Sequence, residues 1–170
     1  MTDTQLPRWE VFNQVKSGAP HEAVGTVHAA DKHHALHTAR NVFGRRPRSV
    51  SMWVVPANSI TSVTLEEIEA GALEVAEPSL EKSYLLFSKE KHRPSMTFVS
   101  YKGCLKARHP LEAINGAIRA FGDALVWWAL PADEIASTDP GDVPSWFAPA
   151  LDKTYKQQSA YGTVKPKGVS

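Results

Sequence analysis

Two stretches seventy-five positions apart read alike: MWVVPANSI at 52–60 and WWALPADEI at 127–135. Trp53 falls on Trp128, Pro56 on Pro131, Ala57 on Ala132 and Ile60 on Ile135. The echo extends backwards along the chain. WEVF at 9–12 matches YLLF at 84–87 with the same offset of 75, and AADKHHALHTARNVFG at 29–44 matches ARHPLEAINGAIRAFG at 107–122 with an offset of 78. The second copy therefore has three extra residues before its helix and three fewer after it, which places the length changes in loops. An ordered series of matched blocks is the signature of an internal duplication, and it constrains the fold more than any single residue does.

Each copy spells the same elements. A first strand over about residues 8–16 sets Trp9, Val11 and Val15 on one side, by period-two alternation. Ser17-Gly18-Ala19-Pro20 is a turn signal, and EAVGTVHAA, which starts at Glu22, gives a second strand over about residues 22–29. Asp31 can cap a helix by accepting from the free N–H groups of its first turn. Ala35, Leu36, Ala39, Val42 and Phe43 recur at helical spacing as a buried stripe. Gly44 stands where a left-handed helix stop is expected. In the second copy Pro110 suits the first helical position and Glu112 the positive end of the helix dipole. Ala113, Ile114, Ala117, Ile118 and Phe121 form its stripe, and Gly122 ends it. The third strand is the repeated apolar stretch, ended by Pro56 or Pro131, which have no N–H for the ladder.

The expected fold is α+β: two tandem β-β-α-β units, each an antiparallel sheet with one helix, related by a pseudo-twofold, plus an irregular C-terminal arm. The divisions are residues 1–60, 61–83, 84–135 and 136–170. A unit of roughly fifty residues is near the lower limit for independent stability, so two units packed together bury what one leaves exposed. The connector at 61–83 carries six Glu and one Lys; Thr64-Leu65-Glu66-Glu67 is a capping-box pattern, which predicts a short helix ending near Gly71. The arm has four Pro and no sustained periodicity, yet it carries Trp146, Phe147, Tyr155 and Tyr161. Those aromatics either pack on their own domain or anchor the arm to another chain.

The net charge of +1 gives no drive toward nucleic acid or membrane. No apolar run approaches the ~18–20 residues of a membrane span, and MTDTQLPRWE lacks the layout of a signal peptide. One cysteine, Cys104, excludes an internal disulfide and fits a reducing compartment. The expected location is the cytoplasm.

Catalytic signals are sparse. His33 and His37 have i,i+4 spacing suited to zinc, close to His28 and His34, but no Glu or Cys nearby completes a ligand set. No E-x-x-H occurs, as a di-iron bundle would need, and no glycine-rich phosphate loop is present. Cys104 is flanked by Lys102 and Lys106, with His109 as its nearest base, at a helix start. Arg40, Arg45, Arg46 and Arg48 make a basic run that either contacts an anionic partner or is simply an exposed helix end and loop. The expectation is no catalytic, cofactor-binding or metal residue in this chain.

WEVF, GTVHAAD, the AL and AR pairs of the first helix, Arg45-Arg46 and WVVPA with Ile60, together spanning residues 9–60, closely resemble the PaaB family. That family supplies the small B subunit of the multicomponent 1,2-phenylacetyl-CoA epoxidase of phenylacetate degradation. W-F-x-P-A-x-x-K-x-Y, here Trp146 to Tyr155, is similar to the segment that closes single-unit members. Residues 61–135 are the departure: a linker and a diverged second unit stand between the two matched regions. The resemblance implies a non-catalytic subunit that bridges heterodimers of the A and C subunits. It implies di-iron on the A subunit and FAD and iron–sulfur on the reductase, which is a further candidate partner. Candidate docking residues are Trp146, Phe147, Pro149, Tyr155, Tyr161, Arg45 and Arg46. The tandem chain would act as a monomeric pseudo-dimer in place of a pair. The alternatives are a stand-alone module binding RNA or protein, and a subunit of a paralogous acyl-CoA oxygenase.

Overall fold

The helices α1, α2 and α3 each begin where a cap side chain accepts from a free backbone N–H. The computed structural model describes residues 5–44, 49–71, 80–91 and 98–150. In it the Asp31 carboxylate accepts from the backbone N–H groups of His33 and His34, both at 2.9 Å, and starts α1 (Lys32–Phe43). The elements before it are β1 (Arg8–Gln14) and β2 (Glu22–His28), and β3 (Ser51–Pro56) follows. The second copy runs β5 (Lys82–Lys89), β6 (Ser100–Ala107), α3 (Pro110–Phe121) and β7 (Val126–Pro131). Between the copies lie β4 (Thr61–Thr64) and α2 (Leu65–Glu69); after them come β8 (Ala136–Ser137) and α4 (Val143–Phe147). The Thr64–Glu67 capping box of α2 forms in both directions.

The fold is α+β, with an antiparallel sheet. The strands join in one sheet of order β4-β7-β5-β6-β2-β1-β3-β8. Read from either end, that order is the same once each strand is replaced by its counterpart. The registers match as well. Trp9 faces Pro56 and Phe12 faces Trp53; Tyr84 faces Pro131 and Phe87 faces Trp128. Each copy has a bulge at the same place, between Val11 and Phe12 and between Leu86 and Phe87.

Two outer cores lie between the helices and the sheet. Trp9, Val11, Leu36, Met52 and Val54 fill the first. Tyr84, Leu86, Ile114, Trp127 and Ala129 fill the second. A third core lies on the other face, built by Phe12, Ala23 and Val55 from the first copy and Phe87, Val99 and Leu130 from the second. Phe12 and Phe87 belong to strands three places apart in the sheet, yet their rings lie 4.4 Å apart. The sheet must therefore curl round to bring them together.

Several expectations are corrected. Val42 is 54% exposed rather than buried, and Phe121 is 46% exposed. In each copy the last helical Phe instead reaches over a strand glycine: a Cβ on Gly25 would lie 3.0 Å from the Phe43 ring, and one on Gly103 2.9 Å from Phe121. That anchoring fixes the rotation of the last turn and leaves Val42 pointing outward. Val15 lies beyond the end of β1 and is exposed. Gly44 has φ −80° rather than a left-handed value; its lack of a side chain matters because a Cβ would meet the Arg40 carbonyl oxygen at 2.8 Å. Gly122 does adopt a positive φ, +87°. The stretch read as connector contributes the strand β4, and the arm is not wholly irregular, since β8 and α4 form within it.

The two strand glycines separate strain from crowding. Gly25 has φ +142° as well as a crowded Cβ site, whereas Gly103 has only the crowding, against a ring that is half out in solvent. Gly25→Ala is expected to cost about 1–3 kcal/mol. Gly103→Ala should cost under about 1 kcal/mol, because Phe121 can swing away. Urea unfolding of the two variants checks the ranking.

Candidate functional site

The described arm starts with a backbone clamp. Thr138 donates its N–H to the Met52 carbonyl at 2.9 Å, and its hydroxyl accepts from the Met52 N–H at 3.1 Å. Asp139 then accepts from the Gly141 N–H at 2.7 Å. This turn leads into α4, which has Pro144 in its first turn. The helix delivers Phe147 into the first core, 7% exposed, among Trp9, Val11 and Leu36. Ala35 and Ala39 of α1, both fully buried, belong to the same core.

Trp146 lies half-buried on the outside of the same contact. Its ring stacks on His37 at 5.2 Å between centroids, and the Arg40 guanidinium sits 5.6 Å from its centroid. Arg40 Nε also donates to the Trp146 carbonyl at 3.1 Å. Arg40 therefore closes the C-terminal turn of α1, packs on an aromatic face and holds the arm's backbone at once. Pro149 is exposed.

Of the candidate docking residues, the fold brings Trp146, Phe147 and Pro149 together on the arm, with Trp146 and Phe147 held by their own α1. Arg45, Arg46, Tyr155 and Tyr161 lie outside the described residues. The partners Arg40 and His37 were missed as arm-binding groups. Their signal was present, because His37 lies on the face of α1 opposite the Ala39 stripe and Arg40 at the stripe's edge.

Phe147→Ala is expected to lower the unfolding free energy by about 2 kcal/mol, less than the ~3–5 usual for a buried Phe because the short helix α4 can shift to fill the space. Trp146→Ala should cost about 1 kcal/mol. Chemical denaturation checks both. Unchanged stability in Phe147→Ala would mean that the ring does not help to hold the first core.

The groups considered for chemistry are mostly engaged in structure. His109 caps α3, its Nδ1 accepting from the Leu111 N–H at 3.2 Å. His33 is exposed, and His37 is the platform for Trp146. Cys104 is exposed on β6 opposite Leu85. The His34 and His33 amides hold the Asp31 carboxyl below its ordinary range, and the Thr64 amide does the same for Glu67; both are helix caps. Burial pushes Glu10 up, with Arg8 partly opposing. Burial also raises the Tyr101 phenol, with a smaller contribution from Cys104. Among the described residues no three His, Cys, Asp or Glu gather into a group that could hold a metal ion. Among them, too, no helix is long and apolar enough to cross a membrane.

The seam between the copies has its own polar group. His21, 6% exposed, shares a 3.0 Å hydrogen bond between its Nε2 and Ser51 Oγ and stacks on Trp53 at 3.6 Å. Burial lowers its pKa to about 4. Trp53 meets Tyr101 edge-on, and Tyr101 meets Phe87, so an aromatic chain crosses from one copy to the other.

Residues 5–92 match the family model described as Phenylacetic acid degradation B. The chain is 42% identical over 67 residues to the B subunit of the 1,2-phenylacetyl-CoA epoxidase of Escherichia coli (strain K12); the match covers 39% of this chain and 70% of that protein. No solved structure matches the chain. The family match spans more than half of the sequence and takes in the whole first β-β-α-β copy, so the chain belongs to the PaaB family.

Proposed function

We propose that this chain is a non-catalytic, bridging subunit of a bacterial multicomponent di-iron phenylacetyl-CoA 1,2-epoxidase, acting in the cytoplasm in phenylacetate catabolism. The observation that carries the reading is the 42% identity to the B subunit of a 1,2-phenylacetyl-CoA epoxidase. Di-iron belongs to the A subunit and FAD and iron–sulfur to the reductase, with none held in this chain. The engagement of His37 and His109 in packing and capping supports a structural role.

The chain further acts as a monomeric pseudo-dimer. Equivalent residues of the two copies meet at three places. Phe12 contacts Phe87 at an offset of 75. The Ser59 hydroxyl donates to the Glu134 carboxylate, also at an offset of 75. Glu22 faces Ser100 at an offset of 78. A residue can touch its own equivalent only near a twofold axis, so these three contacts support a pseudo-twofold through the seam. Two related faces would then serve two A–C heterodimers.

Co-expression with A and C subunits and affinity purification tests the reading. The expected result is a stable complex containing this chain, with a single copy between A–C pairs by native mass. Failure of A and C to co-purify would overturn it. Complexes carrying Cys104→Ala, or His33→Ala with His37→Ala, should retain full epoxidase activity; lost turnover in an intact complex would give this chain a catalytic role.

A further inference from the structure

We infer that the two halves of this chain, residues 5–71 and 80–150, are specific non-covalent partners whose shared surface accepts the unlike half and rejects a second copy of the same half. The inference deepens the pseudo-dimer reading and rests on it.

The halves complete each other by exchange. β4 follows β3 in the chain but pairs with β7, from Thr61 opposite Ala129 to Thr64 opposite Val126. β8 follows β7 but pairs with β3, with Trp53 opposite Ser137. Ile68 of α2 packs on the second core, and Phe147 of α4 enters the first. The middle core takes three fully buried side chains from each half. Across the seam, Ala23 N–H donates to Val99 carbonyl at 2.9 Å and Tyr101 N–H donates to His21 carbonyl at 2.8 Å. These contacts are made by the described residues on either side of positions 72–79.

The chemistry along the seam differs between the copies in a way that favours the unlike pairing. Glu22 stands opposite Ser100; two first halves would set Glu22 against Glu22. Ser59 donates to Glu134; two second halves would bring two Glu134 carboxylates together. Ala23 in one half corresponds to Tyr101 in the other, and the Tyr101 ring packs between Trp53 and Phe87. Two first halves would lose that ring, and two second halves would have two of them competing for the space. Like charges face to face and mismatched volumes are the means by which an interface refuses the wrong partner.

Insertion of a protease site within 72–79, followed by cleavage of the folded protein, tests this. Size-exclusion chromatography and native mass spectrometry should find one particle, co-eluting with uncut chain and containing one of each half. Free halves or like-with-like pairs would overturn the inference. In the cleaved protein, Ser100→Glu should raise the dissociation constant roughly fivefold, and adding Glu22→Gln should restore it. An effect independent of Glu22 would overturn it too. The same substitutions in the uncut chain read the same coupling from urea midpoints, so the test does not depend on the inserted site folding well. Failure of A and C to co-purify leaves this inference standing, and separation of the halves leaves epoxidase membership standing.

Discussion

Phe12→Ala is expected to remove about 4 kcal/mol of stability, within the ~3–5 typical for truncating a fully buried Phe. The ring is 1% exposed, lies 4.4 Å from Phe87 and meets Trp128 edge-on at 6.3 Å. It belongs to neither outer core but to the one shared by both copies. The loss should therefore appear as one cooperative transition moved to lower urea, with both copies unfolding together. A biphasic curve, with the second copy persisting, would mean that the middle core does not couple the copies. Phe87→Ala should cost a similar amount. The double variant should fall short of the sum, because the second truncation enlarges a cavity already opened.

Acidification should destabilise the protein through His21 by roughly 3–4 kcal/mol. Its pKa is lowered from 6.5 to about 4 in the folded chain, because the imidazole is buried against Trp53. The unfolded chain binds the proton more tightly, so the contribution is fully present above pH 6.5 and is lost as the pH falls toward 4. The drop of about 2.5 pH units converts at ~1.4 kcal/mol per unit. Asp31 and Glu67 carry lowered carboxyl pKa values and Glu10 a raised one, so they titrate at the acid end as well. Comparison with His21→Gln separates the histidine from them. The wild-type minus variant stability should fall between pH 7 and 4, and a flat difference would refute the assignment.

The repeated order of elements was legible because the two offsets are carried by residues that set registers and bulges. Pro56 and Pro131 close their strands opposite Trp9 and Tyr84, just as the apolar pattern implies. Helix caps were legible too, since Asp31 and Thr64 act on amides within three residues. The strand exchange was not. TSVT at 61–64 is four residues beside a capping box, and its partner strand begins at Val126; nothing local says which distant edge it will join. The role of Phe147 was also hidden. The first core exists only once α1 is set against the sheet, and an aromatic pair in a proline-rich stretch fits either fate. Val42 failed for a related reason: the helix stripe continues in sequence, but the Phe43–Gly25 contact decides which way the last turn faces.

The crossed pairing of β4 and β8 has a consequence for synthesis. The first copy leaves the ribosome with the outer edge of β3 open, because the residues that cover it, Ala136 and Ser137, are made only after the second copy. β4 likewise waits for β7. At about 5–20 residues per second, the roughly sixty residues between β4 and β7 and the roughly eighty between β3 and β8 keep these edges unpaired for several seconds. An unpaired edge is a template for another chain, so crowded nascent chains can mispair there before the second copy arrives. The crossed pairing that closes the sheet in the finished protein thus puts an aggregation hazard midway through translation.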